Sequence, residues 1–332
     1  MNLNKDSCGK ELFVGIDTSN YTTSVALCDC NGEVIANIKS MLPVKPGERG
    51  LRQSDALFAH VKNLPFCMDK LGAVLDSIGN EYYIAAVGVS DRPRNREQSY
   101  MPCFLAGVAA AHSFAAGHNC KLFNFSHQSG HIMAALYSSG NLIPEKEKFA
   151  AFHVSGGTTD LVMVTPQKSD FFIERIGGSL DINAGQAIDR TGVLMGYDFP
   201  CGRKMEESLE ECNYKISKTK ISVNGLFCNL SGLENLASDL YQNTKDRALV
   251  SAFVFDFIGD TLYKLTENLR VQYPGIPVLY AGGVMGNKRI KEKLAKSENV
   301  FFSEPEFSAD NAAGISLLAR KSAFSHIGAI DI

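Results

Sequence analysis

One strand–turn–strand pattern occurs twice in this chain, and any fold it adopts must accommodate both copies. Leu12-Phe13-Val14-Gly15-Ile16 reads as a compact apolar strand. Asp17 to Thr23 is a hydroxyl-rich turn, and Ser24-Val25-Ala26-Leu27-Cys28 is the strand back. About 140 residues later the pattern returns: Phe149 to Val154, then Ser155-Gly156-Gly157-Thr158-Thr159, then Asp160 to Val164. Alternating helices and strands follow each copy, which predicts two related α/β lobes facing across a cleft. In the second turn the glycines let backbone approach a ligand closely, and turn N–H groups suit phosphate oxygens. The hydroxyls and amides of the first turn could also hold a phosphate, although Thr and Ser are simply common in turns and strands.

Between the copies lies Ser126-His127-Gln128-Ser129-Gly130-His131. The apolar run Lys121 to Phe125 before it reads as a buried strand. The small-residue stretch Ile132 to Tyr137 after it reads as helix, with Ser126 as its N-cap. Histidines four apart on a helix share a face, one turn above the other, which suits two imidazoles meeting one ion. The same pair could instead cap backbone groups or pack against the strand end.

The remaining elements complete an α/β alternation. Ser54 to Ile78 predicts a helix broken or kinked at Pro65. Ala85 to Ser90 is a buried-type strand, and Asp91-Arg92-Pro93-Arg94-Asn95-Arg96 is a basic loop able to meet phosphates, although such clusters are more often simply solvated. Pro102 to Gly117 and Asn183 to Met195 read as helices, and Leu236 to Tyr273 as one or two more. Pro277 to Ala281 is a strand ending in Gly282-Gly283, with a helix from near Asn287. That places amides and a helix start at a strand's carboxyl end, where α/β sheets bind ligands. Val300 to Phe302 is a last strand. Asp310 opens a final helix through Ala323, either as a plain N-cap or as a third metal ligand.

Composition narrows the function classes. A net charge of −3 excludes a generally basic, nucleic-acid-coating protein, and a 45% apolar content supports a large core. Met1 to Glu11 carries no apolar signal-peptide core, and no apolar run is long enough to span a bilayer, so a cytoplasmic protein without a membrane partner is expected. Nine scattered cysteines fit reduced thiols better than a disulfide framework.

Seven pieces in order carry a family resemblance. They are Gly15 to Ser19, His127 to His131, Val154 to Thr159, Asp181 to Arg190, Leu230 to Leu233, Ala281 to Asn287 and Asp310 to Ala313. Over about Leu12 to Ala323 the chain resembles the bacterial tRNA N6-adenosine threonylcarbamoyltransferases, also known as glycoprotease-like or peptidase M22-type proteins. The resemblance implies an α/β fold of the actin-like, Hsp70-like, sugar-kinase-like class, with two ribonuclease-H-like lobes around a nucleotide cleft. We expect the lobes at residues 11–135 and 136–326. It implies that His127, His131 and Asp310 hold a divalent metal, iron or zinc. It implies that His153, Val154, Ser155, Gly156, Gly157, Asp189, Gly202 and Asn287 contact an adenine nucleotide (ATP, AMP or an acyl-adenylate). Asp189 would accept from ribose hydroxyls, and the Ser155–Gly157 amides would face phosphate. No further catalytic side chain is assigned. The implied reaction moves threonylcarbamoyl from its adenylate to adenine N6 of tRNA. The implied partners are tRNA and proteins of the tRNA-modification complex, with a homodimer as a further assembly to test.

The departures fall at the motifs. Ser129 stands where the family has Glu, Thr158 where it has His, Gln186 where it has Glu, and Asp17 where it has Glu. The Arg-rich segment Ser90 to Arg94 replaces a Gly-Pro-Gly loop. A changed donor or acceptor is therefore one reading, and the chain is expected to be a divergent paralogue. Two alternatives remain at this stage: a kinase or ATPase of the same superfamily, and a non-catalytic nucleotide-binding scaffold. A metalloprotease fits poorly, because no His-Glu-x-x-His is present.

Overall fold

A computed structural model describes residues 9–19, 21–43, 51–79, 81–96, 98–140, 142–143, 146–209, 214, 216, 220–308 and 310–327. Most of the amino-terminal segment read above, with Cys8 and Cys212, lies outside them. The chain forms two compact units. The first joins Met1–Gly140, Pro166–Phe172 and Ala309–Ile332; the second joins Asn141–Thr165 and Ile173–Ser308. This differs from the division expected at 135/136. The final helix goes with the first unit, because it packs on that unit's central strands.

The first unit is built on β1 (Glu11–Ser19), β2 (Thr22–Asp29), β3 (Val34–Met41), α1 (Gln53–Ile78), β4 (Tyr83–Arg92), α2 (Phe104–His118), β5 (Lys121–Ser126) and α3 (His127–Ser138). Its sheet runs β3-β2-β1-β4-β5. The β1–β2 and β2–β3 pairs are antiparallel, and β4 and β5 add in parallel. Both faces are covered, so β1 reads as a nearly continuous buried run. Leu12, Val14 and Ile16 pack with Leu64, Cys67 and Leu71 of α1 and with Ala106, Ala111 and Ala115 of α2.

The second unit contributes β6 (Phe149–Val154), β7 (Thr159–Pro166), β8 (Phe171–Ser179), α4 (Ala184–Leu194), α5 (Gly202–Glu207), β9 (Ser222–Asn224) and β10 (Phe227–Asn229). It continues with α6 (Gly232–Thr244), α7 (Arg247–Gln272), β11 (Val278–Ala281), a 3₁₀ turn (Gly283–Gly286), α8 (Lys288–Leu294), β12 (Val300–Phe302) and α9 (Pro305–Ser308). Its sheet order is β12-β11-β6-β7-β8-β10-β9. Leaving aside β9 and β10, this is the order of the first sheet: a hairpin strand in the centre, its antiparallel partner on one side, and two parallel strands on the other. The duplication read from the sequence is therefore a duplication of topology. The core is dominated by α7, whose Val254, Phe255, Ile258, Leu262 and Leu265 pack with Phe152 and Tyr280 of the sheet. α10 (Ala313–Ile327) closes the chain.

Two local expectations change and one is resolved. α1 is one helix through Pro65. Proline there frees the Val61 carbonyl, but Val61 and Pro65 lie on the exposed face, where water can take that group. The Leu236–Tyr273 stretch is two helices, divided where Lys245 turns left-handed at φ 55°. Cys30 is disulfide-bonded, against the expectation of thiols only, while Cys28, Cys67, Cys103, Cys120, Cys201 and Cys228 are free.

Candidate functional site

The first unit gathers charged side chains at the carboxyl ends of its parallel strands, the end where such sheets bind ligands. β5 passes into α3 without a loop. Ser126 caps the helix, its hydroxyl accepting from the Ser129 amide at 3.1 Å. The cap fixes the first turn of α3 and so aims the two imidazoles. His127 and His131 face one another, Nε2 to Nε2 at 2.9 Å, with donor and acceptor roles set by tautomer. Asp310 enters from just before α10. Its Oδ1 lies 3.5 Å from His127 Nε2 and 3.3 Å from His131 Nε2. Asn311 Oδ1, rather than Asp310, accepts from the Ala313 amide at the helix start.

Close backbone contact brings Asp310 there. A Cβ on Gly314 would stand 1.9 Å from the Gly130 carbonyl oxygen, and one on Gly130 would stand 2.8 Å from Ile315 Cδ1. The first turn of α10 lies on α3 through this glycine pair, so the residue four before Gly314 is delivered to the histidines.

A fourth residue completes the cluster, and the sequence reading had not placed it in the site. Asp17, on β1 and 1% exposed, meets His127 Nδ1 through Oδ2 at 2.7 Å, and its Oδ1 accepts from the Ser19 amide at 2.8 Å. A carboxylate behind an imidazole fixes which ring nitrogen is free to face a ligand. The available signal was a buried-type strand interrupted by one acid. Burial disfavours charge on His127, but Asp17 and then Asp310 outweigh it and raise its pKa. Burial would lift both carboxyls, yet His127 holds Asp17 low, and hydrogen bonds from His127 and His131 hold Asp310 far below the usual carboxylate range.

This donor set suits a divalent ion. The three facing atoms of His127, His131 and Asp310 form a triangle whose centre is about 2 Å from each corner, the usual length of an ion–nitrogen or ion–oxygen bond. Two carboxylates around two imidazoles also leave an excess of negative charge for a cation to balance. Ser129, between the histidines in sequence, is buried and bonded to Ser126 Oγ at 2.9 Å.

The residues implied for a nucleotide all lie in the second unit. His153 and Val154 end β6, and the turn after it is closed by the Ser155 amide donating to Thr158 O at 2.8 Å. Gly156 and Gly157 are exposed, and a Cβ on either, or on Gly283, would meet nothing within 4 Å. The start of α4 approaches this turn, Gly185 N donating to Ser155 O at 3.1 Å. The Gly282 backbone, at φ 102°, lies against Val154. Asn287 caps α8 through Oδ1, and its Nδ2 is buried without a partner. Asp189, its pKa raised by burial, accepts from the Cys201 amide at 2.8 Å, just before Gly202 opens α5. Open space at the glycines and an orphaned buried amide fit an anionic nucleotide. Asp181 has a different duty: it binds the Leu230 and Ser231 amides at 2.8 and 3.0 Å and ties two motifs together.

Comparisons with known proteins agree with this fold. Among solved structures, HypF from T. kodakarensis superposes with a TM-score of 0.59 at 12% identity, over 96% of this chain and 48% of that one. The (R)-2-hydroxyglutaryl-CoA dehydratase component A of Acidaminococcus fermentans gives 0.51 at 16% identity, over 94% and 99%. These neighbours place the chain in the actin-like ATPase and sugar-kinase fold class. In sequence, the tRNA N6-adenosine threonylcarbamoyltransferase of Streptococcus suis (strain 05ZYH33) is 30% identical over 321 residues, covering 93% of this chain and 91% of that protein. The protein of the same name from Streptococcus sanguinis (strain SK36) is 30% identical over 292 residues, covering 85% and 83%. Residues 100–317 match the family described as TsaD, tRNA N6-adenosine threonylcarbamoyltransferase. With that match spanning the stretch from α2 into α10, the chain belongs to the tRNA N6-adenosine threonylcarbamoyltransferase family, as a divergent member.

Proposed function

We propose that this protein transfers threonylcarbamoyl from threonylcarbamoyl-AMP to the N6 amine of an adenine in tRNA, with a divalent metal, iron or zinc, held by His127, His131 and Asp310. The observation that carries the reading is the convergence of two imidazoles from α3 and a carboxylate from near the far end of the chain, with Asp17 behind them. Three protein ligands leave positions open, so the ion would supply Lewis-acid polarisation of a substrate oxygen or an anchor for the threonyl part.

The protein's own residues do the rest. The carbamoyl carbon–oxygen bond to AMP breaks as the bond to N6 forms, and AMP leaves with the bonding electron pair while N6 loses a proton. AMP is already a good leaving group, so the chain mainly has to position donor and acceptor. In this reading the Ser155–Gly157 turn and the start of α4 receive the phosphate, Asp189 accepts from the ribose, and Asn287 Nδ2 donates to the nucleotide. Asp17 keeps His127 Nδ1 protonated and turns Nε2 toward the ion. A tRNA substrate places the work in the cytoplasm, and proteins of the tRNA-modification complex or a second copy of the chain are the assemblies to look for.

The test combines metal analysis of the purified protein with transfer from threonylcarbamoyl-AMP to tRNA lacking the modification. We expect bound metal, transfer in the wild type, and loss of both in His131→Ala. Metal and nucleotide binding without transfer to any tRNA would overturn the proposed acceptor. Acceptor-independent ATP hydrolysis would favour a kinase or ATPase instead.

A further inference from the structure

The β4–α2 loop and the tip of the β7–β8 hairpin meet within the first unit, and the proposed reaction uses neither. They wall an open cavity of about 500 Å³ lined by Arg92, Asn95, Arg96, Gln167, Phe171 and Phe172. The walls are anchored. The hairpin tip receives hydrogen bonds from α10: Ser325 Oγ donates to Lys168 O at 3.1 Å and Ser322 Oγ to Ser169 O at 3.4 Å. The loop is held to α3, where the Gln128 amide donates to Pro93 O at 3.1 Å and Asn95 Nδ2 reaches Ser129 Oγ at 3.4 Å. The cavity is thus built onto the same first turn of α3 that carries His127.

Its chemistry is selective. Arg92 is engaged by Asp91 and by Asn95 Oδ1, and so stiffens the loop. Asp170 is bonded to Asn95 Nδ2 at 3.3 Å. Phe171 is buried beneath the Lys321 ammonium, 5.3 Å from its ring centroid. What faces outward is the Phe172 ring, 56% exposed, beside the exposed Arg96 guanidinium and the Gln167 amide. An open aromatic face for a base, a guanidinium for a phosphate and an amide for a base edge are the means by which single-stranded RNA is held.

We infer that this groove receives a nucleotide neighbouring the acceptor adenosine in an RNA loop, its base stacked on Phe172 and its phosphate at Arg96. The inference rests on the tRNA reading for the identity of the RNA, but binding can be measured without transfer.

The experiment is fluorescence anisotropy on the full-length protein with two probes: a synthetic RNA stem-loop with adenosines in its loop, and a fully paired RNA of equal length. Phe172→Leu keeps apolar bulk and loses the ring, whereas Phe172→Tyr keeps it. We expect Phe172→Leu to weaken stem-loop binding about tenfold and leave duplex binding unchanged, with Phe172→Tyr near wild type. Arg96→Ala should weaken both probes and reduce the salt slope by about one ion. Metal content and melting temperature should not move. Unchanged stem-loop affinity in Phe172→Leu, equal losses for both probes in that variant, or a wild type that binds no stem-loop would overturn the inference. A chain that binds the stem-loop through Phe172 yet modifies no tRNA would keep the groove and defeat the transfer reading. A chain that modifies tRNA with an unaltered KM in Phe172→Leu would do the reverse.

Discussion

The two hairpins share a topology and differ at their turns. In the β1–β2 hairpin, Asp17, Thr18, Ser19, Thr23 and Ser24 are all buried, and all but Ser19 have side-chain partners inside the protein: Asp17 meets His127 and the Ser19 amide, Thr18 donates to Cys103 O, Thr23 meets His60, and Ser24 donates to Asp17 O. In the β6–β7 hairpin, Gly156 and Gly157 stand open at the turn. The first hairpin spends its polarity on holding a charged cluster, and the second leaves open space at its glycines. One supersecondary unit thus supplies either a rigid support or a receptive loop, depending on whether side chains or glycines occupy the turn.

The sharpest way to break this contrast is to add a methyl group at a packed glycine beside the second turn and at an open one within it. Gly282 has φ 102°, and a Cβ there would sit 2.2 Å from the Val154 carbonyl oxygen. Gly282→Ala should therefore destabilise the fold by about 3 kcal/mol or more, read from denaturant unfolding. Gly157→Ala adds its methyl to empty space, so it should leave stability alone and weaken nucleotide binding about tenfold in calorimetry. If both variants behave alike, the open turn is not receptive. On the metal side, Asp310→Ala should lower metal affinity more than about a hundredfold, since a direct ligand outweighs the 10–100-fold typical of a supporting residue. Nucleotide binding should survive.

Asp17→Asn sharpens the comparison further, because it removes charge from the first hairpin and little volume. Loss of the Nδ1 partner should cost about 10–100-fold in metal affinity, measured by competition with a chelator. An unchanged affinity would mean that the buried carboxylate serves the fold rather than the ion.

Local patterns carried much of this. The repeated hairpin was legible because each copy is a contiguous run with the period of a strand. The His127–His131 pair was legible because a spacing of four is a property of one helix. The family resemblance supplied Asp310. Asp17 lies within a legible motif, yet nothing local ties it to a histidine 110 residues away; only the β1–β4–β5 alignment does that. The placement of α10 depends on Gly130 and Gly314, which individually look like ordinary small residues in helices. β8 has a strand-like run, Phe171 to Ile176, and ends across Gly177 and Gly178. Gly178 adopts φ 120° there, and its Cα lies against the Thr159 carbonyl.

The smallest expected effect lies against the first hairpin, at His60 of α1. His60 is fully buried, its Nδ1 is 2.8 Å from Thr23 Oγ1, and its Nε2 has no partner. Burial pushes its pKa down to about 4, against the weaker upward pull of Asp17 and Asp310. The unfolded chain titrates this ring near 6.5, so between those values the unfolded state binds the extra proton. Its contribution is therefore complete above about pH 6.5 and declines as pH falls toward 4, by roughly 1 kcal/mol between pH 6 and 5. Urea titrations at several pH values should show that slope in the wild type, and His60→Gln should flatten it by that amount while leaving other carboxylate-linked terms in place. If the His60→Gln and wild-type curves stay parallel, the buried support of the first hairpin tolerates a proton, and the contrast between the two hairpins is one of shape alone.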